Sequence, residues 1–209
     1  MQRVLRAASC AALAALGFWA PASAEESWLD QAPGQWNAPG MAVPAPTPGE
    51  VGTDARCLEF SRPAETAEDR LVVDAGWSLI GSYELAWGVS IVTGNAAHDG
   101  MCRPAQYNVF VFAGGKFAGT VSPSAMMSRT DGAISLVAIR GAGDLTATAA
   151  RYRESDPLCC PSGESFVSLR VTRVGDEPVL NVDRVETSYR DAPARPGPQR
   201  APREERPAP

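Results

Sequence analysis

Apolar and polar residues alternate through much of the second half of the chain. Tyr83, Leu85, Trp87, Val89 and Ile91 interleave with Glu84, Ala86, Gly88 and Ser90, a period of two that predicts one half-buried strand. Residues 107–112 and 117–121 flank Ala113-Gly114-Gly115-Lys116, and residues 134–139 and 145–152 flank Gly141-Ala142-Gly143-Asp144. Both patterns predict hairpins. Val167, Leu169 and Val171 alternate with Ser168, Arg170 and Thr172, and Gly175-Asp176 turns the chain into residues 179–185. A single helix is expected over residues 66–75: Thr66 can cap it, Glu68 and Asp69 suit its first turn, Leu71, Val72 and Ala75 give an apolar side, and Gly76 can end it. Strands roughly 10–15 residues apart, joined by glycine turns, favour an antiparallel sheet over βαβ units. The predicted fold is mainly β: a single curled antiparallel sheet, or a small sandwich or half-barrel, with one short N-terminal helix. Its expected core includes Trp77, Tyr83, Trp87, Phe110, Phe112, Phe117 and Leu169.

The flanks read differently. Arg3 and Arg6 precede an apolar run over residues 7–20, then Pro21 and Ala22-Ser23-Ala24. This is the pattern of a secretory signal peptide cleaved after Ala24, and the run is short for crossing a bilayer. Cys10 precedes most of the apolar run, whereas a lipidation cysteine follows it, so lipidation is not expected. Residues 25–54 carry five prolines and four glycines and read as an extended arm in which a tryptophan, Trp28 or Trp36, can dock. Residues 191–209 carry six prolines and four arginines and read as a disordered tail. The expected division is therefore signal 1–24, arm 25–54, β-rich domain 55–190 and tail 191–209.

Export changes the meaning of the cysteines. With Cys10 removed, Cys57, Cys102, Cys159 and Cys160 remain, and four cysteines in an oxidising compartment imply two disulfides with three connectivities. Adjacent cysteines can bridge only through a strained eight-membered ring. The expectation is that Cys159 and Cys160 each reach back to one of Cys57 and Cys102.

Charge and chemistry then narrow the function. The formal charge of −5 becomes −7 when the two signal arginines leave, the wrong sign for a general phosphate binder, so nucleic acid is not an expected partner. His98 is the only histidine, which removes two-histidine zinc sites. No GxSxG elbow or CxxC pair is present, and the only lysine, Lys116, lies in a hairpin turn. Gly141-Ala142-Gly143 has Thr146 where a dinucleotide loop needs its third glycine. Asp99-Gly100, Asp131-Gly132 and Asp144 lack calcium-loop spacing and read as turns. No catalytic residue, metal or cofactor is predicted. The remaining candidates are polar loop residues: Asp99, Arg103, Arg129, Asp131, Asp156 and Ser162. If disulfides draw the loops together, Asp99, Arg103 and Asp156 would share a charged surface.

Those loops also carry a family likeness. Asp99-Gly100-Met101-Cys102-Arg103-Pro104, the aromatic strand over residues 107–112, Phe117-Ala118-Gly119-Thr120-Val121-Ser122-Pro123 and Asp156-Pro157-Leu158-Cys159-Cys160-Pro161-Ser162 together resemble the LppP/LprE family of bacterial envelope lipoproteins. The resemblance covers about residues 57–173, and Cys159-Cys160-Pro161-Ser162 after a Tyr-x-x-x-Asp-Pro lead-in is its most specific part. It implies an extracytoplasmic β-rich domain and brings no catalytic residues. This chain departs from the family label in lacking a lipobox, so membrane anchoring does not carry over. The expected function is a non-catalytic periplasmic or secreted protein that binds an envelope component or a protein partner. Two alternatives stand beside it: a redox or soft-metal-responsive protein using the vicinal cysteines, or a hydrolase with an unrecognised acidic site.

Overall fold

The computed structural model describes residues 27–31, 34–48 and 55–190. The expected signal peptide and tail, and parts of the arm, lie outside the described residues. A 3-10 turn (Ala55–Phe60) leads into β1 (Ser61–Arg62) and α1 (Ala67–Asp74). β2 (Ser78–Ala86), β3 (Val89–His98), β4 (Pro104–Ala113) and β5 (Lys116–Thr120) complete a sheet in the order β1-β2-β3-β4-β5. β6 (Ile134–Ile139), β7 (Asp144–Arg151), β8 (Gly163–Val174) and β9 (Glu177–Tyr189) form a second sheet in chain order. All pairings are antiparallel. Two sheets, not closed into a barrel, realise the sandwich rather than the single curled sheet.

β4 explains why one strand reads as almost continuously apolar. Val109, Val111 and Ala113 face the core between the sheets, where they meet Val89, Ile91, Leu145, Ala147, Val167, Leu169 and Leu180. Phe110 and Phe112 face the other way, into a second cluster with Val72, Trp77, Leu79, Val92 and Phe117. A strand buried on both faces has no polar phase. Each fully buried large side chain contributes about 2–3 kcal/mol.

The helix starts where expected. Thr66 Oγ1 accepts from the Asp69 N–H at 3.1 Å, and the Thr66 N–H donates back to Asp69 Oδ2 at 3.2 Å, a closed capping box. Arg62 of β1 grips the same carboxylate with both terminal nitrogens, at 2.7 and 2.6 Å. Burial pushes the Asp69 carboxyl up. The Arg62 guanidinium and the backbone N–H groups of Glu65 and Thr66 outweigh burial and bring it down to about 2. Of the expected apolar side only Val72 is fully buried, and Leu71 faces solvent.

Residues 83–91 do not form one strand. Trp87 and Gly88 both have positive φ, +50° and +75°, and make a two-residue hairpin turn between β2 and β3. The turn pairs residues of opposite parity, Leu85 with Ser90 and Glu84 with Ile91. Leu85 therefore lies on the opposite face from Val89 and Ile91, although all three keep one period in sequence. Trp87, expected in the core, is 64% exposed at the turn.

The described residues ahead of the 3-10 turn pack closely on the two sheets. Trp28 and Trp36 meet edge to face with centroids 5.6 Å apart, and the Trp77 indole N–H donates to the Pro44 carbonyl at 2.7 Å. Asn37 sits between the edge strands β5 and β9. Its Nδ2 donates to the carbonyls of Thr120 and Leu180, each at 3.0 Å, and its Oδ1 accepts from the Thr120 N–H at 2.9 Å. One side-chain amide thus joins two sheet edges that do not pair with each other. Gly119, at φ +145°, makes room for it, because a Cβ there would collide with the Asn37 side chain.

The disulfides correct the expected pairing. Cys57 bridges Cys102, and Cys159 bridges its neighbour Cys160. Cys57, in the turn ahead of β1, packs against the β3–β4 loop that holds Cys102. The adjacent pair lies on the surface in the β7–β8 loop, which belongs to the other sheet. Ring strain argued against a vicinal bridge, but an exposed loop can take up a distortion that a strand cannot.

Candidate functional site

Most of the candidate polar residues build the loop they stand in. In the β3–β4 loop, Asp99 Oδ1 accepts from the N–H groups of Met101 and Arg103 at 2.8 and 3.0 Å, and Oδ2 accepts from Arg103 Nε at 2.5 Å. Partial desolvation pushes the Asp99 carboxyl up, but those hydrogen bonds prevail and hold it below its ordinary value. This Asx-type frame supports the left-handed Cys102 (φ +59°). Arg56 Nη2 ties it to the 3-10 turn through the Gly100 carbonyl at 2.9 Å.

Asp131 is drawn to a different neighbour. Its Oδ1 accepts from the Tyr152 N–H at 2.7 Å and from Arg151 Nε at 3.1 Å. Arg151 also reaches Asp30 Oδ2 at 2.6 Å, Ser165 Oγ at 3.2 Å and Thr187 Oγ1 at 3.3 Å. Its side chain is only 6% exposed, so this cation is buried and amply paired, and it ties the N-terminal segment to the second sheet. Sequence reading passed over Arg151. The available signal was its phase, since Leu145, Ala147, Ala149 and Arg151 occupy alternate inward positions of β7. Arg129 is exposed at φ +65° and makes no hydrogen bond or ion pair with another described residue.

In the β7–β8 loop, Asp156 Oδ2 accepts from the N–H groups of Arg153 and Ser162, at 2.8 and 2.9 Å. The same two N–H groups hold its carboxyl below the ordinary carboxylate value. The three loops therefore form separate constellations: Asp99 with Arg103, Asp131 with Arg151, and Asp156 with Ser162. Since the disulfides do not bridge the first loop to the third, the shared surface of Asp99, Arg103 and Asp156 has no bond to assemble it, and none of the observed contacts links them.

These loops and the strands between them carry a family likeness. Residues 82–173 match the LppP/LprE lipoprotein family. The match to this lipoprotein family runs from β2 through most of β8 and takes in Cys102, Cys159 and Cys160. Cys57, α1 and β9 lie outside it. No curated protein and no solved structure matches the chain. The match to a lipoprotein family points to an envelope-associated protein.

In the LppP/LprE-like region, Asp99, Asp131 and Asp156 are each held by backbone N–H groups or an arginine. Among the described residues no three metal-ligating side chains come together. His98 is buried at the end of β3 with its ring 3.1 Å from the Asn95 amide nitrogen. No helix among the described residues is long and apolar enough to cross a membrane. At the hairpin-tip end, Trp87 borders a groove of about 290 Å³ with Gly88, Ala113, Gly143, Val171 and Arg173. Lys116 and Glu177, paired at 2.7 Å, tie the β4–β5 and β8–β9 tips together.

Proposed function

We propose that this protein is a non-catalytic, exported binding module of the cell envelope, contacting an envelope component or a protein partner through its hairpin-tip end. The observation that carries this reading is Trp87. A large indole in a left-handed turn, 64% exposed, lies beside a concave surface lined by glycine, alanine and valine residues and Arg173. Large aromatics with one open face are what binding surfaces enrich. Arg173 adds a guanidinium whose described partner is the Asp176 backbone carbonyl, at 3.3 Å. The candidate acids Asp99, Asp131 and Asp156 are committed to backbone N–H groups and arginines, which supports a binding role over a catalytic one at these loops.

Export by signal cleavage after Ala24, the division at residues 54 and 190, and a periplasmic or secreted location belong to the same proposal. An intact mass beginning at Glu25 is the expected result for the exported protein. Retention on immobilised envelope fractions tests the contact surface. Trp87→Ala should weaken retention by about tenfold or more, as loss of a central aromatic anchor does, with an unchanged circular dichroism spectrum. Asp99→Asn and Asp156→Asn should retain binding wherever they fold. Full retention by Trp87→Ala would remove the hairpin-tip end from the account.

A further inference from the structure

We propose that Cys159–Cys160 is a thiol–disulfide exchange site, opened by a dithiol partner and closed again by the disulfide form of that partner, while the fold stays intact. The two disulfides stand in opposite settings. Cys57 is 0% exposed and its bridge to Cys102 spans 45 residues. Cys159 and Cys160 are both exposed, and their bridge closes no loop beyond the peptide that already joins them. A cross-link between neighbours removes almost no freedom from the unfolded chain, so stabilisation does not account for it.

The loop around the pair is framed without the sulfurs. The Asp156 carboxylate accepts from Arg153 and Ser162, and the Cys160 N–H donates to the Pro157 carbonyl at 2.9 Å. The Tyr152 hydroxyl donates to the Leu158 carbonyl at 3.1 Å. Arg190 donates to the carbonyls of Pro161 and Ser162, at 3.1 and 2.8 Å. Opening the S–S bond removes none of these contacts. Leu158, 75% exposed immediately before the pair, gives an incoming partner an apolar foothold. Access and a supporting frame are what exchange requires, because the reaction proceeds by direct attack on sulfur.

The partner is a dithiol, small or protein-borne. Its thiolate attacks one sulfur of the pair, the S–S bond breaks, and the other sulfur leaves as a thiolate that takes a proton from water. The partner's second thiolate then attacks its own sulfur in the mixed disulfide and releases the remaining cysteine. Two electrons and two protons pass to the protein, which gains two thiols, and the partner becomes a disulfide.

The test is graded reduction of the whole exported protein with dithiothreitol, followed by alkylation, peptide mass mapping and circular dichroism on the same samples. Cys159 and Cys160 should become alkylated at a dithiothreitol concentration at least about tenfold below that needed for Cys57 and Cys102, with the spectrum unchanged. A Cys57→Ala, Cys102→Ala protein should show the same threshold for the vicinal pair wherever it folds. Joint reduction of both bridges, reduction of the vicinal pair only on unfolding, or free thiols at 159 and 160 in the untreated protein would each overturn the proposal. The outcome does not depend on whether the hairpin-tip end binds a partner.

Discussion

The regions around the two disulfides share a chemical bond and almost nothing else. Around Cys57–Cys102, the 3-10 turn, β1, the start of α1 and the β3–β4 loop form one interlocked corner. The Arg56 contact to Gly100 and the bridge itself join residues 44 and 45 positions apart, and the Arg62–Asp69 pair fastens β1 to the start of α1. Around Cys159–Cys160 the loop's hydrogen bonds are mostly local, and both residues are exposed. One bridge restricts the chain and the other is left accessible. The same residue type thus serves the fold in one place and is free for chemistry in the other, and burial and sequence separation distinguish the roles.

The largest expected effect comes from the buried corner. Replacing Cys57 and Cys102 together by alanine should cost about 4 kcal/mol in the chain-entropy model, read as a shift in the urea or guanidinium midpoint. Asp69→Asn should follow at about 2–3 kcal/mol, since it leaves Arg62 facing a carboxamide in a buried setting. Its pH dependence has a definite sign. Asp69 falls from an ordinary 3.8 to about 2 in the folded state, so its contribution is full above pH 3.8 and is lost as pH falls through about 2. Wild-type stability should drop over that window more steeply than that of the Asn variant, as acid titrations followed by circular dichroism would show.

Asn37→Ala should come next, at about 2 kcal/mol. It strips three hydrogen bonds from the β5–β9 seam and belongs to neither disulfide, so it calibrates what a sheet junction contributes. The smallest effect is expected from Cys159→Ser with Cys160→Ser, about 1 kcal/mol or less. A loss as large as that of the buried corner would erase the distinction between the two bridges.

Much of the fold was legible in the sequence because local signals agreed with tertiary ones. Thr66 and Asp69 mark the helix start through a capping box that needs only four consecutive residues. The Gly114-Gly115 and Gly175 turns have positive φ values that glycine supplies. The Trp87-Gly88 turn was hidden because tryptophan is an uncommon left-handed residue and the alternation runs through the turn unbroken. Disulfide pairing was not legible, since it depends on which loops the two sheets bring together. The candidate acids were correctly read as loop residues. What they bond lay outside the reach of the sequence, because Asp99 and Asp156 are satisfied by backbone groups that every residue carries. Arg151 and Asn37 escaped for a related reason: their partners lie up to 121 and 143 residues away.

The most direct test of the division between the two bridges is a peptide map of the folded protein, digested without reduction after free thiols are blocked. The structure predicts one cross-linked pair of peptides joining Cys57 to Cys102, and a single peptide holding Cys159 and Cys160 that is lighter by two hydrogens. A peptide joining Cys57 or Cys102 to either of the adjacent cysteines would contradict the account.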